Sequence, residues 1–281
     1  MSIPNDLAVV ICHGSYHSPK PYGPLVDALK AAGTDAYCPQ LPTADLSKLD
    51  VGDDVNNPDY DREPPAGGYP QGDEDVEVIH GVLEPVICSE GKKVLLVGHS
   101  SGGWAATQAA RPDLQYKNRR DKGQEGGIIG ILYMGAFVIP VGESINSFFQ
   151  PKDKPAMIPP FMEFHKHGAA GLGTMVKPRE FLFNDLESDD EAAKWVATLT
   201  ASPILTTRLT NDAYAALPCA YLVLGQDQTL AKEYQEGMAA LQGQKTGEFI
   251  MYQCDAGHSP HLTWTQGVVD TVRDFVSKVD I

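Results

Sequence analysis

Short runs of apolar residues alternate along the chain with longer stretches whose apolar positions recur every three or four residues. Leu7 to Cys12 is an unbroken apolar run, the length and pattern of a strand buried on both faces. Tyr22 to Ala32 carries Leu25, Val26 and Leu29 on one helical face, with Gly33 placed to end it. Asp35 to Cys38 predicts a second strand, stopped by Pro39 and Pro42. Residues 50–72 are crowded with Asp, Asn, Pro and Gly and show no period, which predicts a surface loop, either a flap over a site or a plain insertion. Val76, Ile79, Val82, Leu83, Val86 and Ile87 return to helical spacing, with Pro85 expected to kink or shorten the helix. A strand over Lys92–Val97 then runs through a glycine-rich turn into a helix that starts with small residues.

Residues 111–127 are polar and predict another exposed loop, and Ile128 to Phe137 a buried strand. Between about 141 and 215 the alternation breaks, although Ser188 and Glu191 form a capping box ahead of Ala192, Trp195 and Val196. Alternation resumes with a strand at Ala220–Leu224, a helix at Ala231–Leu241 and a strand at Phe249–Gln253. A last helix has Val268, Val272, Phe275, Val276 and Val279 on one stripe. Strands alternating with helices are the mark of a parallel sheet covered on both faces. The expectation is an α/β fold: a mostly parallel six-stranded sheet flanked by helices, formed by residues 1–140 and 216–281, with 141–215 inserted as a mainly helical cap.

Composition narrows the function classes. The net charge of −15 leaves no basic footprint for nucleic acid and reads as a solvated surface. Cysteines 12, 38, 88, 219 and 254 are odd in number and scattered, which predicts neither a disulfide framework nor a zinc site. The first residues lack a basic and apolar leader, and no apolar run reaches membrane-spanning length, so the expectation is a cytoplasmic protein with no membrane partner.

The chemistry concentrates at Gly98-His99-Ser100-Ser101-Gly102. Strand before, helix after and glycine at both ends are what a nucleophile elbow requires, because the turn brings strand and helix too close for side chains. A serine hydroxyl needs a base to take its proton and an acid to orient that base. His258 lies just past the final strand and before the last helix, with His261 as the local competitor. Asp227 follows the strand ending at Leu224 and is the candidate acid, with Asp255 and Glu143 as alternatives. His165 and His167 in the cap read as solvated. The loop Cys12-His13-Gly14-Ser15-Tyr16-His17 and the turn offer the amides of Ser15 and Ser101 as oxyanion donors. Gly14 and His17 on that loop, with Phe161 and Met162 in the cap, are the candidate substrate contacts; Phe148, Phe149, Met157, Ile158 and Phe164 extend the cap's apolar lining.

With these residues assembled, the chain resembles the α/β-hydrolase superfamily. More narrowly, it is similar to the methylesterase and hydroxynitrile-lyase-like branch that includes methyl salicylate esterases. The resemblance rests on Val9 to Gly14, Val94 to Gly103, Leu222 to Asp227, Gly257-His258 and Phe183-Asn184-Asp185-Leu186, and it fades in 50–72 and 141–180. Lyases of this type carry Thr where this chain has Gly14, and Lys after the catalytic histidine, where this chain has Ser259. Both departures imply hydrolysis of a small hydrophobic or aromatic ester or lactone, without metal or organic cofactor. The rival readings are a lyase or cyclase with His258 as general base, and a ligand receptor on the same scaffold. Relatives in this branch are often dimers, so the resemblance also admits a homodimer.

Overall fold

Eight strands are present in the computed structural model, which describes residues 6–151, 153, 157–247 and 249–279. They are β1 (Leu7–Cys12), β2 (Asp35–Tyr37), β3 (Lys93–His99), β4 (Gly127–Met134), β5 (Met162–Phe164), β6 (Gly173–Met175), β7 (Cys219–Leu224) and β8 (Ile250–Cys254). Six of them form one sheet in the order β2-β1-β3-β4-β7-β8, and every pairing within it is parallel. The apolar runs are explained by that placement, since a strand in the middle of a covered parallel sheet is buried on both sides. Ala8, Val10 and Cys12 of β1 enter one core with Val94 and Leu96 of β3. Leu7, Val9 and Ile11 enter the other with Leu95 and Val97.

The first core is closed by the helices Gly72–Glu84, Gly102–Ala109 and Lys232–Thr246, through Ile79, Leu83, Trp104, Ala106 and Met238 among others. The second is closed by Gly23–Ala31 and Thr265–Lys278, through Leu25, Leu29, Val268, Val272 and Phe275. The C-terminal ends of β1, β3, β7 and β8 therefore emerge together, and each leads into one of the loops that carry candidate chemistry.

Several elements refine or differ from the sequence reading. Pro85 shortens its helix, one of the two expected outcomes: the α-helix stops at Glu84 and one π-helical turn, Pro85–Ser89, follows. A wider turn tolerates a ring that can neither donate a backbone hydrogen bond nor fit close to the preceding carbonyl. The polar stretch 111–127 contains a short helix, Tyr116–Arg120. It is anchored by the buried Arg119, whose guanidinium donates to the carbonyls of Glu125 and Gly126. Strand β4 ends at Met134 because Gly135 turns the chain at φ 49°.

The described residues of 135–218, between β4 and β7, hold four short α-helices, one 3-10 turn and the antiparallel pair β5–β6. The Ser188 hydroxyl accepts the Glu191 amide at 3.1 Å, as the capping pattern predicts. The 50–72 loop is tied down by this region. Val51 and Tyr69 pack with Leu172 and Ala201, the Lys166 amide donates to Asp61 Oδ1 at 2.9 Å, and His167 Nε2 donates to the Asp61 carbonyl at 3.1 Å. His165 bonds Thr174 Oγ1 at 2.9 Å. The two histidines read as solvated are thus half-buried braces. Among the described residues, no helix is long and apolar enough to cross a membrane.

Candidate active site

Ser100 stands between the end of β3 and the helix Gly102–Ala109, with φ at 53°. That left-handed geometry strains a residue with a side chain and lifts it out of the turn. The flanking glycines are dictated by close approach. A Cβ on Gly102 would lie 2.0 Å from the Cys12 carbonyl oxygen and 2.6 Å from that of His13, and one on Gly98 would lie 2.6 Å from Gly103 Cα. These neighbours are backbone and cannot swing away. Gly102→Ala should therefore force the elbow helix off the end of β1, destabilise the protein by about 3 kcal/mol or more, and lower the melting temperature by roughly 10 °C. An unchanged thermal melt would contradict this account of the turn.

The loops after β7 and β8 bring Asp227 and His258 together. His258 Nδ1 donates to Asp227 Oδ2 at 2.7 Å, and both side chains are almost wholly buried. The other carboxylate oxygen accepts the amides of Thr229 at 2.8 Å and Leu230 at 2.9 Å, and Gln235 Nε2 approaches Oδ2 at 3.4 Å. A carboxylate so surrounded by donors has one orientation, and it holds the His258 proton on Nδ1, leaving Nε2 as a base. The alternatives are placed elsewhere: Asp255 is exposed, and Glu143 accepts the Ser147 hydroxyl.

A second set of groups holds these loops, and the sequence reading missed most of it. The Gly14 amide donates to Tyr22 Oη at 3.1 Å, Tyr22 Oη donates to His99 Nδ1 at 2.6 Å, and His99 Nε2 donates to the His258 carbonyl at 2.8 Å. This chain of bonds connects the loop after β1 to the backbone of His258. From the other side, Asp185 Oδ2 accepts the Gly257 amide and the Thr263 hydroxyl, both at 2.7 Å, while Asn184 Nδ2 donates to the Gln226 carbonyl at 2.9 Å. A Cβ on Gly257 would meet Asn184 Oδ1 at 2.2 Å, so Gly257 is required by that contact. The signals available were the position of His99 inside the turn and the Phe183-Asn184-Asp185-Leu186 segment; Tyr22 reads as an ordinary helix-start residue.

Burial sets the protonation of the surrounding histidines. Removal from water lowers His13 to about 4 and His17 to about 3, and takes His99 and His261 well below the ordinary value. His261 stacks on Tyr22 with ring centroids 4.2 Å apart, and among the described residues neither of its ring nitrogens has a hydrogen-bond partner.

The remaining candidates are placed as follows. A Cβ on Gly14 would be 2.9 Å from Ser100 Cβ, so this glycine lies directly against Ser100. His17 is buried against Tyr22 and His99, and its Nδ1 donates to the Ser15 carbonyl at 2.8 Å. That bond braces the loop. The Ser15 amide is engaged by Ser101 Oγ at 2.6 Å. A crevice between the elbow helix and the 135–218 region is lined by His13, Thr43, Asp75, Ser101, Trp104 and Thr207 among others. Gly14, His17, Phe161 and Met162 do not line it. Phe161 packs against Phe181, and Met162 Sδ accepts from Tyr16 Oη at 3.5 Å. Phe149 packs on Phe137, and Met157 and Ile158 are exposed. Phe148 and Phe149 thus extend the first sheet core, and Phe161 and Met162 contact other side chains.

A sequence family described as "Alpha/beta hydrolase family" matches residues 9–271. The chain is 28% identical over 274 residues to "Alpha/beta hydrolase nvfD" of Aspergillus novofumigatus (strain IBT 16806), covering 95% of each chain. Its structure is similar to that of the pyrethroid hydrolase PytH, with a TM-score of 0.70 at 16% identity over 97% of each chain. It is also similar to the methylesterase MES16 from Arabidopsis, with a TM-score of 0.65 at 18% identity over 97% of this chain and 100% of that one.

Proposed function

The chain belongs to the alpha/beta hydrolase family, and we propose that within it the protein cleaves a carboxylic ester or lactone of a small hydrophobic or aromatic substrate through Ser100, His258 and Asp227. The observation that carries this reading is the buried 2.7 Å bond from His258 Nδ1 to Asp227, in the same strand-end cluster as a serine held at φ 53°. His258 Nε2 takes the Ser100 proton as Ser100 Oγ attacks the carbonyl carbon. The oxyanion is held by the amides of Ser15 and Ser101, and Asp227 stabilises the imidazolium. The imidazolium then protonates the departing alcohol oxygen, which stays attached in a lactone, and water repeats the sequence on the acyl-enzyme. Residues 141–215 act as the lid that selects the substrate, with Phe161 and Met162 placed to meet its apolar part.

The test is hydrolysis of short and medium acyl p-nitrophenyl esters, together with capture by a reactive aryl phosphonate. Turnover with a phosphonate adduct mapped by mass spectrometry to Ser100 supports the reading. Neither turnover nor capture would sink it and leave non-acylating chemistry on this scaffold.

A further inference from the structure

Two hydrogen bonds beside the nucleophile meet at one atom. The Ser15 amide donates to Ser101 Oγ at 2.6 Å, and the Ser15 hydroxyl donates to the same oxygen at 2.9 Å. Ser101 directly follows the nucleophile and is buried. An amide has one hydrogen and makes one short, straight bond. The Ser15 amide therefore cannot serve a substrate oxygen while Ser101 Oγ holds it. The two lengths are also close to those expected between an oxyanion and the donors built to receive it.

We infer that Ser101 Oγ stands where the substrate's oxyanion will stand, and that the Ser15 hydroxyl is a third oxyanion donor beside the Ser15 and Ser101 amides. This rests on Ser100 being the acylated nucleophile and adds the Ser15 side chain as a catalytic residue. Substrate entry turns the Ser101 side chain to another rotamer, and the N–H and O–H of Ser15 pass together to the incoming oxygen. The donor loop keeps its position as Ser101 turns. His17 Nδ1 holds the Ser15 carbonyl at 2.8 Å, Tyr22 Oη holds the Gly14 amide, and the Thr200 amide donates to the Tyr16 carbonyl at 2.7 Å.

The two serines then have opposite effects. Ser15→Ala keeps the amide and loses the third donor, so kcat should fall about 10- to 100-fold with KM little changed. Ser101→Ala removes the internal occupant and leaves every donor in place, so the rate should rise roughly two- to tenfold. Ser15→Thr, which restores a hydroxyl, should recover most of the loss. The assay is the second-order rate of Ser100 capture by a p-nitrophenyl phosphonate, read beside aryl ester turnover. In capture the Ser100 Oγ–P bond forms, the P–O bond to p-nitrophenolate breaks, and the Ser100 proton passes to His258. The phosphonyl oxygen takes the oxyanion's place. Capture of Ser15→Ala at the wild-type rate would overturn the inference while leaving the hydrolase reading intact. So would a tenfold slowing in Ser101→Ala, which would make the Ser101 hydroxyl itself a donor. A wild-type protein that is never captured at Ser100 overturns both.

Discussion

Replacing Asp227 with Asn should lower kcat about 10⁴-fold while KM and the melting temperature stay near their wild-type values. The expectation follows from how the carboxylate is held. Its Oδ1 accepts two backbone amides, from Thr229 and Leu230, and those bonds persist when Oδ1 becomes the amide oxygen of Asn. The other position is then an NH2 group facing His258 Nδ1, where Oδ2 now accepts at 2.7 Å. Two donors cannot face each other in a dry site, so the imidazole shifts its proton to Nε2 and accepts from Asn with Nδ1. The nitrogen needed to take the Ser100 proton is then already protonated. Shape is preserved and basicity is misplaced, which separates a large effect on kcat from a small one on binding and folding. Steady-state kinetics on an aryl ester, beside a thermal melt, checks both halves. A loss under 100-fold would mean that another group orients His258.

The strands and the ends from which the candidate groups project were legible because each rests on a local rule. An unbroken apolar run of six residues, Leu7 to Cys12, has one economical placement, buried on both faces. The glycines at 98 and 102 advertise a turn whose backbone leaves no room for Cβ. Chain order then directs attention to Asp227 and His258 as residues that follow strands. What stayed hidden depends on partners distant in sequence. Tyr22 and His99 are 77 residues apart, and nothing local to either announces that they share a proton. Asp61 and the 166–167 segment are more than 100 residues apart, so a loop dense in turn residues could not reveal that it is braced. The helix Tyr116–Arg120 was missed for a related reason: its buried residue is an arginine, which pattern reading assigns to solvent. For the apolar residues of the cap, hydrophobicity alone does not distinguish a wall that meets substrate from one that packs on itself.

The histidines around the site give the fold a steep sensitivity to acid. His13, His17, His99 and His261 are buried, and loss of hydration holds each neutral far below the pH at which it would protonate in an unfolded chain. Between the unfolded value of about 6.5 and the lower folded value, only the unfolded state binds the proton. Stability is therefore full above about pH 6.5 and falls as pH drops, by about 1.4 kcal/mol per pH unit for each such group. Asp75 works in the opposite sense. Burial raises its carboxyl to about 7 against two bonds from Thr43, so the folded chain keeps a proton there that the unfolded chain releases. Four groups against one leave a net loss of stability as pH falls below 6.5. Urea unfolding at pH 7.5, 6.5, 5.5 and 5.0 should show the midpoint falling below pH 6.5. His261→Phe assigns the effect to the cluster. The ring keeps its stack on Tyr22, gives up no hydrogen bond, and no longer titrates. Its stability should fall less steeply below pH 6.5 than that of the wild type, so that the difference between the two moves in the variant's favour as pH drops. Identical slopes in the two proteins would show that the acid sensitivity comes from groups elsewhere in the chain.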